Sequence, residues 1–195
     1  MGLVQRLHIK CAVLFLVAMR ETVEWIEANG LRHALRRFEV DGAPASGRTA
    51  LILHGFLDCA ATFERMAEPI ARAGYTVVGI DFRGFGDTDR VGAGGYYHFA
   101  DYVVDLHGVV RALAPPWLGV IGHSMGGGVA TLFAGTFPDR VHSLVVMEGL
   151  GPMSDPPGLG VDRMRRHFAD RERVRAPKPM ASLDEATERL AATHP

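Results

Sequence analysis

Four short, largely apolar runs constrain the fold of this chain more than any other feature. They occupy residues 50–53, 75–80, 118–121 and 144–147. Runs of this kind are typical of parallel strands that are covered on both faces. Apolar residues between them recur at the spacing of an amphipathic helix, in residues 63–70, 102–113 and 129–137. The alternation predicts an α/β fold with a mostly parallel sheet and right-handed crossovers.

A different pattern precedes the first run. Residues 22–27 alternate between apolar and polar side chains, Asn29-Gly30 supplies a tight turn, and the chain resumes toward residues 38–40. Alternation on both sides of an Asn-Gly pair indicates a β-hairpin with one face in water. We therefore expect an antiparallel hairpin at the N-terminal side of the parallel sheet.

The composition is that of a globular domain. Of 195 residues, 48% are hydrophobic and the formal net charge is -1, which excludes a disordered chain and leaves no overall positive field for nucleic acid. The arginine-rich residues 163–175 are interspersed with Asp162, Asp170 and Glu172, a mixture typical of an exposed helical face. We expect no nucleic-acid partner.

Residues 1–20 form an N-terminal extension for which three interpretations stay open: a misplaced start before Met19, a signal segment, or a surface helix. Their apolar run, residues 11–19, is too short for a membrane span, which needs about 20 residues. The two cysteines, Cys11 and Cys59, are too few for a disulfide framework or a metal cluster. These features predict a protein of the reducing cytoplasm with no membrane span.

The Gly-His-Ser-Met-Gly sequence of residues 122–126 follows one apolar run and precedes a helical stripe. A serine on a sharp strand-to-helix turn, with glycines two residues before and after it, is the arrangement of a nucleophile elbow. The pattern marks Ser124 as the candidate nucleophile. In the alternative interpretation, Ser124 only caps the helix that follows.

Two further strand ends carry motifs. His54-Gly55-Phe56 ends the first run, where an acyl-transfer enzyme needs a main-chain N–H directed at the developing oxyanion. We expect the N–H groups of Phe56 and Met125 to form this oxyanion hole, and His54 and His123 to be structural; a simple turn is the alternative. The loop of residues 81–87 completes no phosphate-binding motif, and we interpret it as a structural loop with an ion pair at Arg83.

These three motifs, in this order, resemble the α/β-hydrolase superfamily. Residues 54–58 and 147–152 (His-Gly-Phe-Leu-Asp and Met-Glu-Gly-Leu-Gly-Pro) are more narrowly similar to its serine-hydrolase-like group. The resemblance implies an α/β-hydrolase core in residues 21–150 and the start of a helical cap in residues 151–195. It also implies a serine nucleophile at Ser124 and no cofactor. Members with aspartate at this position include epoxide hydrolases, so the serine argues against that chemistry.

The rest of a catalytic triad is expected in the order serine, acid, histidine. Glu148 directly follows the last apolar run and is the candidate acid, although the serine-hydrolase-like group has aspartate there. The histidines after Ser124 are poorly placed: His142 begins a strand, His167 lies among arginines and His194 is the penultimate residue. We expect a C-terminally incomplete fold, without strands 7 and 8 and without the catalytic histidine. Its last strand would be an exposed edge through which two copies could pair.

The sequence predicts a serine hydrolase that acts on a carboxylic ester or a related small acyl substrate. Two alternatives stay open. One is a non-catalytic, truncated hydrolase fold that serves as a binding or domain-swapped module. The other is an acyl transferase or perhydrolase, because the glycines of residues 126–128 are similar to those of cofactor-free haloperoxidase-like esterases.

Overall fold

The computed structural model describes residues 19–149, 158–173 and 180–193. The chain divides into two compact units, residues 1–152 and 153–195. The first unit contains a six-stranded sheet with the strand order β1-β2-β4-β3-β5-β6. The second unit contains two helices.

The sheet begins with the predicted hairpin. Strand β1 (Met19–Ala28) pairs antiparallel with β2 (Leu31–Val40). Asn29 and Gly30, with φ of 52° and 74°, form the turn, as a two-residue loop with left-handed backbone requires. The strand starts before residue 21, where we expected the core to begin, because Met19 and Arg20 already pair with Val40 and Glu39. The rest of the N-terminal extension, residues 1–18, lies outside the described residues.

The four apolar runs form the predicted strands: β3 (Thr49–Leu53), β4 (Thr76–Ile80), β5 (Leu118–His123) and β6 (Ser143–Met147). Strands β4, β3, β5 and β6 run parallel to one another, and β2 joins β4 antiparallel. The prediction of a mostly parallel sheet with an N-terminal antiparallel hairpin is therefore confirmed. Since parallel strands end at the same edge, the segments after β3, β4, β5 and β6 share one side of the sheet.

The helical stripes form α1 (Glu64–Arg72), α2 (Phe99–Leu113) and α3 (Met125–Thr136). One face of the sheet packs in a cluster with α1 that includes Phe38, Ile52, Ala67 and Val77. The other face packs in a larger cluster with α2 and α3 that includes Leu51, Ile80, Leu106, Val120 and Phe133. Alternate residues of each strand point to opposite faces, which explains why the runs are apolar throughout.

The second unit has α4 (Gly160–Glu172) and α5 (Leu183–Thr193). Helix α4 has no buried residue, and Arg165 pairs with Asp162 on its surface. The exposed face that we predicted for the arginine-rich stretch is therefore observed as far as Arg173; residues 174 and 175 lie outside the described residues. No helix in the described part of the chain is long and apolar enough to cross a membrane.

Candidate active site

The turn at Ser124 has the conformation of a nucleophile elbow. Ser124 joins β5 to α3 with φ of 49° and ψ of -113°, a combination that costs about 1–3 kcal/mol for a residue other than glycine. The N–H of Ser124 donates to the carbonyl oxygen of Met147 at 2.9 Å, which ties the turn to the end of β6. Ser124 is exposed and makes no side-chain capping bond to the helix. The Ser124 side chain therefore does not make the capping bond that the alternative interpretation requires.

Glycines allow main chain to approach the elbow from two sides. A Cβ atom on Gly122 would lie 2.4 Å from the carbonyl oxygen of Gly126, and one on Gly126 would lie 2.3 Å from the carbonyl oxygen of Leu53. Both distances are far below van der Waals contact with backbone atoms that cannot swing away. The spacing of the two glycines thus reflects direct contact between the start of α3 and the end of β3.

The His54-Gly55-Phe56 segment lies against the same turn. A Cβ atom on Gly55 would be 3.5 Å from Cβ of Ser124, so the expected oxyanion loop and the candidate nucleophile are in contact. Within the described residues, the N–H groups of Phe56 and Met125 donate to no protein acceptor. Met125 is the first residue of α3, where main-chain N–H groups have no partner inside the helix. Met125 directly follows Ser124 and Phe56 follows Gly55, so two donors without a protein acceptor lie near Ser124.

Hydrogen bonds of the His54 ring hold this loop in place. Its ring is fully buried, Nε2 accepts a hydrogen bond from the N–H of Phe82 at 3.0 Å, and Nδ1 lies 2.7 Å from the carbonyl oxygen of Gly55. Because Nε2 is an acceptor, Nδ1 carries the proton and donates. Burial lowers the pKa of His54, and the hydrogen bond to Gly55 opposes this only in part. A neutral ring with hydrogen bonds at both nitrogen atoms agrees with the structural role that we expected for this histidine.

The loop after β4 is also structural. The buried Asp81 carboxylate accepts hydrogen bonds from the N–H groups of Ala60 (2.7 Å) and Asp87 (3.0 Å). The Arg83 guanidinium binds both oxygens of buried Asp105, at 2.5 and 2.6 Å, and contacts Asp101 at 3.2 Å. The hydrogen bonds that Arg83 donates to the Asp105 carboxylate raise the pKa of Arg83. The predicted ion pair at Arg83 is confirmed, and it anchors this loop to α2.

Glu148 lies at the same edge of the sheet. It directly follows β6 with φ of 51°, and its side chain is exposed. A Cβ atom on the next residue, Gly149, would be 2.5 Å from the carbonyl oxygen of Ser124, so the turn after β6 packs on the backbone of the elbow. The Glu148 carboxylate and the Ser124 hydroxyl each lack a hydrogen-bond partner among the described residues. The structure thus brings Ser124, Met125, Phe56 and Glu148 together without a link from Glu148 to the serine side chain.

No histidine of the described residues is hydrogen-bonded to Ser124. His142 lies at the opposite end of the sheet, since its N–H donates to Leu118 at the start of β5, whereas Ser124 follows the end of that strand. Six residues of extended strand separate the two ends by about 20 Å. His167 belongs to α4 in the second unit, and His194 lies outside the described residues.

An aromatic pocket beside the oxyanion loop was not predicted from the sequence. Its volume is about 190 Å³, and its walls are Phe56, Gly84, Phe85, Tyr97 and Tyr102. The lining residues come from three separate segments, so no local pattern identifies it. The one available signal is the pair of adjacent tyrosines, Tyr96 and Tyr97, that follows a glycine-rich loop. Elsewhere in the described chain, no group of three or more histidine, cysteine or acidic side chains could hold a metal ion.

Comparison with known proteins agrees with this geometry. The chain matches the family model described as alpha/beta hydrolase fold over residues 50–182. It is 39% identical over 108 residues to a serine hydrolase-like protein of Danio rerio, covering 55% of this chain and 33% of that protein. It is 33% identical over 99 residues to epoxide hydrolase B of Mycobacterium tuberculosis, covering 51% of this chain and 28% of that protein. The chain spans about a third of the length of these curated relatives.

Among solved structures, a hypothetical protein of Pseudomonas aeruginosa PAO1 superposes with a TM-score of 0.75 at 26% sequence identity, over 89% of this chain and 60% of that one. The family model covers more than half of the chain and includes all four strand ends of the candidate site. The curated relatives are hydrolases or hydrolase-like by name. The chain therefore belongs to the α/β-hydrolase superfamily and is similar to its serine-hydrolase-like group.

Proposed function

We propose that this chain carries the nucleophile and the oxyanion hole of a serine hydrolase that acts on carboxylic esters or related small acyl substrates. The observation that supports the proposal most is the conformation of Ser124, an exposed residue with positive φ on a strand-to-helix turn. The free N–H groups of Phe56 and Met125 flank it. A strained serine between two unpartnered donors fits acyl transfer better than a packing role.

In the proposed reaction, Oγ of Ser124 attacks the ester carbonyl while a histidine takes its proton, and the tetrahedral oxyanion accepts hydrogen bonds from Phe56 and Met125. Collapse of the intermediate transfers that proton to the departing alcohol and leaves an acyl-serine, which water then hydrolyses. No step needs a cofactor. We place the histidine base outside the described residues, and assign to Glu148 the orientation of that base.

Labelling with a fluorophosphonate probe tests the nucleophile directly. The chain is incubated with the probe and the modified residue is located by mass spectrometry. Because removal of a triad member leaves a residual catalysis of about 10³–10⁴ over water, we expect slow but site-specific modification of Ser124. Ser124→Ala should abolish it. Ser143→Ala, which removes another exposed serine one strand away, should label like the wild type.

The second test uses the protein of a longer reading frame that supplies the expected histidine. This protein should hydrolyse short p-nitrophenyl esters and lose that activity on Ser124→Ala. It should not open styrene oxide, because the hydrolysis of epoxides in relatives of this fold is expected to need aspartate at the position of Ser124. Equal ester hydrolysis by the serine and alanine forms would contradict the proposal, as would modification of both at the same rate.

A cytoplasmic location completes the proposal. It is supported by the cysteine content alone, since two cysteines offer no framework of disulfides. Cys59 is a free thiol in the described chain. Recovery of the protein in a cytosolic fraction, with Cys59 reactive to a maleimide before any reductant is added, is the expected result.

The free edge of β6 favours a second candidate function, self-association. Its five residues carry no charge, and Leu144 and Val145 are 38% and 46% exposed. An apolar groove of about 370 Å³, lined partly by Trp117 and Val145, continues from this edge. We infer that a second copy pairs with β6 antiparallel about a two-fold axis, because an uncharged edge strand readily pairs with its own copy.

Sedimentation velocity tests this pairing. A concentration-dependent dimer that Val145→Lys converts to monomer is the expected result, because the substitution places a charge in the middle of the paired edge. Glu27→Lys on β1, the opposite edge of the sheet, is the matched control and should remain dimeric. A wild-type chain that stays monomeric throughout, or a dimer that is unaffected by Val145→Lys, would contradict the inference.

A further inference from the structure

The aromatic pocket defined by Phe56, Gly84, Phe85, Tyr97 and Tyr102 shares a residue with the proposed oxyanion hole. The ring of Phe56 forms one wall, at 5.7 Å and nearly perpendicular to the ring of Phe85. The N–H of the same residue is one of the two free donors beside Ser124. A group bound in this pocket therefore lies next to the position where a carbonyl oxygen would be polarised.

The opposite wall is held firmly. The hydroxyl of Tyr97 accepts a hydrogen bond from the N–H of Val91 at 3.0 Å. Its ring lies so close to the backbone of Gly84 that a Cβ atom there would be 2.5 Å from the ring, and φ of Gly84 is +82°. Only glycine fits under the ring in this conformation. The position of the Tyr97 wall is therefore set by the backbone of Gly84 and Val91.

The lining carries no charged side chain that would offset the loss of hydration of a charged ligand. Every lining side chain is aromatic, apart from Gly84. The nearby cation, Arg83, is already paired with Asp105 and Asp101. Tyr102 is only 5% exposed, and its hydroxyl has no hydrogen-bond partner among the described residues. Burial also raises the pKa of this phenol, which keeps it neutral and able to donate or accept one hydrogen bond.

The size of the pocket limits what enters it. A volume of about 190 Å³ is slightly larger than a cavity of about 150 Å³ that accommodates benzene. A phenyl ring or a branched chain of similar bulk fits, and an extended fatty-acyl chain does not. Aromatic walls also favour flat rings in edge-to-face contact.

We propose that the aromatic pocket binds a compact, neutral, apolar group of the ester, an aryl or short branched alkyl substituent, and so selects the substrate of this enzyme. The assignment of the substrate as an ester rests on the proposed function, but the binding of the apolar group does not. In the complex, the apolar group contacts Phe85 and Tyr97, the carbonyl lies by the N–H of Phe56, and the hydroxyl of Tyr102 pairs with a neutral polar atom attached to that group where the ligand carries one.

Binding is measured without catalysis, in the purified chain carrying Ser124→Ala. Benzyl alcohol is the neutral probe, and benzoate and benzylammonium are its charged counterparts; ligand-observed NMR titration gives each dissociation constant. We expect benzyl alcohol to bind and both charged probes to bind at least tenfold more weakly. Loss of one aromatic wall removes about 0.5–1.5 kcal/mol, so Tyr97→Ala and Phe56→Ala should each weaken benzyl alcohol about two- to tenfold.

Two controls separate the lining from the loop. Tyr97→Phe removes the hydroxyl bond to Val91 but keeps the ring, and should weaken benzyl alcohol less than Tyr97→Ala does. Tyr96→Ala removes the adjacent exposed tyrosine, which does not line the pocket, and should bind like the parent. Tyr102→Phe should weaken benzyl alcohol but leave toluene unchanged, because toluene has no atom to pair with the hydroxyl.

The proposal is overturned if benzyl alcohol does not bind, if the charged probes bind equally well, or if Tyr97→Ala and Phe56→Ala match Tyr96→Ala. Far-ultraviolet circular dichroism of each variant shows whether it is folded, and Phe56→Ala, whose side chain is 66% exposed, keeps the test valid if Tyr97→Ala unfolds. Binding as expected without any labelling of Ser124 in the wild-type chain would refute the proposed hydrolase but not the pocket. Labelling without binding would do the reverse.

Discussion

Two buried histidines should make the stability of this protein fall as the pH drops below their ordinary pKa. His33 and His54 are both fully buried, and burial lowers the pKa of each below the ordinary 6.5. For His33, the Asp105 carboxylate at 3.7 Å opposes the shift without cancelling it. The folded chain therefore holds both rings neutral at a pH where the unfolded chain protonates them.

The sign and the size follow from proton linkage. Above pH 6.5 both states are neutral and stability is constant. As pH falls below 6.5 the unfolded state takes up protons first, so the free energy of unfolding falls, until the folded pKa is reached. Each such histidine contributes a slope of about 1.4 kcal/mol per pH unit, and two contribute about 2.7. Glu24 and Asp89, whose pKa values are lowered from 4.5 and 3.8, lose their contribution only below this range.

The perturbation is His54→Gln, which keeps an acceptor for the N–H of Phe82 and removes the titrating ring. Urea unfolding between about pH 5 and 7.5 gives the free energy at each pH. We expect the slope in the acid limb to fall by about 1.4 kcal/mol per pH unit, to half of the wild-type value. Ile52→Val, a buried change that leaves both histidines in place, should lower the whole curve by about 0.5–1.5 kcal/mol with an unchanged slope.

A slope in His54→Gln equal to that of the wild type would refute the reasoning, because it would mean that His54 takes its proton equally well in both states. The double variant with His33→Gln should be nearly independent of pH across the same range. If the double variant kept the full slope, the pH dependence would come from other groups.

Two further predictions concern the elbow and the loop beside it. Gly126→Ala places a Cβ atom against the carbonyl oxygen of Leu53, so we expect a loss of about 1–3 kcal/mol in urea unfolding and about 100-fold slower fluorophosphonate labelling of Ser124; Gly135→Ala in the same helix, with no atom within 4 Å, should label normally. Asp105→Ala leaves Arg83 in its buried position without its main partner, so unfolding should become easier by about 3–5 kcal/mol; a change below about 1 kcal/mol would contradict the role of this pair.

Most of the sheet could be predicted because a strand that is buried on both faces is apolar at successive positions, and such runs are visible in the sequence. The run at residues 118–121 became β5, two residues longer, and the helical stripe at 129–137 marked α3 although its first turn consists of glycines. The last run was expected to form an exposed edge strand, and Leu144 and Val145 of β6 are exposed. A run of apolar residues records that a strand is suited to burial, and it cannot show which element covers it.

The candidate site divides in the same way. The glycines at 122 and 126 mark a turn where main chain meets main chain, and this constraint is local enough to appear in five residues. The bond from Phe82 to His54 and the pocket between Phe56 and Tyr97 depend on contacts across 28 and 41 positions of the chain. Such contacts leave no trace in local spacing, so they were found only in the structure.

The close approach of Gly126 to Leu53 and of Gly55 to Ser124 has a consequence for how this site could diversify. Those contacts set the reactive geometry through backbone atoms, whereas the bound group is recognised by the rings of Phe56, Phe85 and Tyr97. The proposed reactivity and selectivity thus depend on different groups, and Phe56 alone contributes to both, through its backbone N–H and its ring. Substitutions of the pocket rings can therefore change the substrate selectivity of the proposed hydrolase while the serine and its two donors keep their positions. The same backbone arrangement can serve different substrates with one reaction.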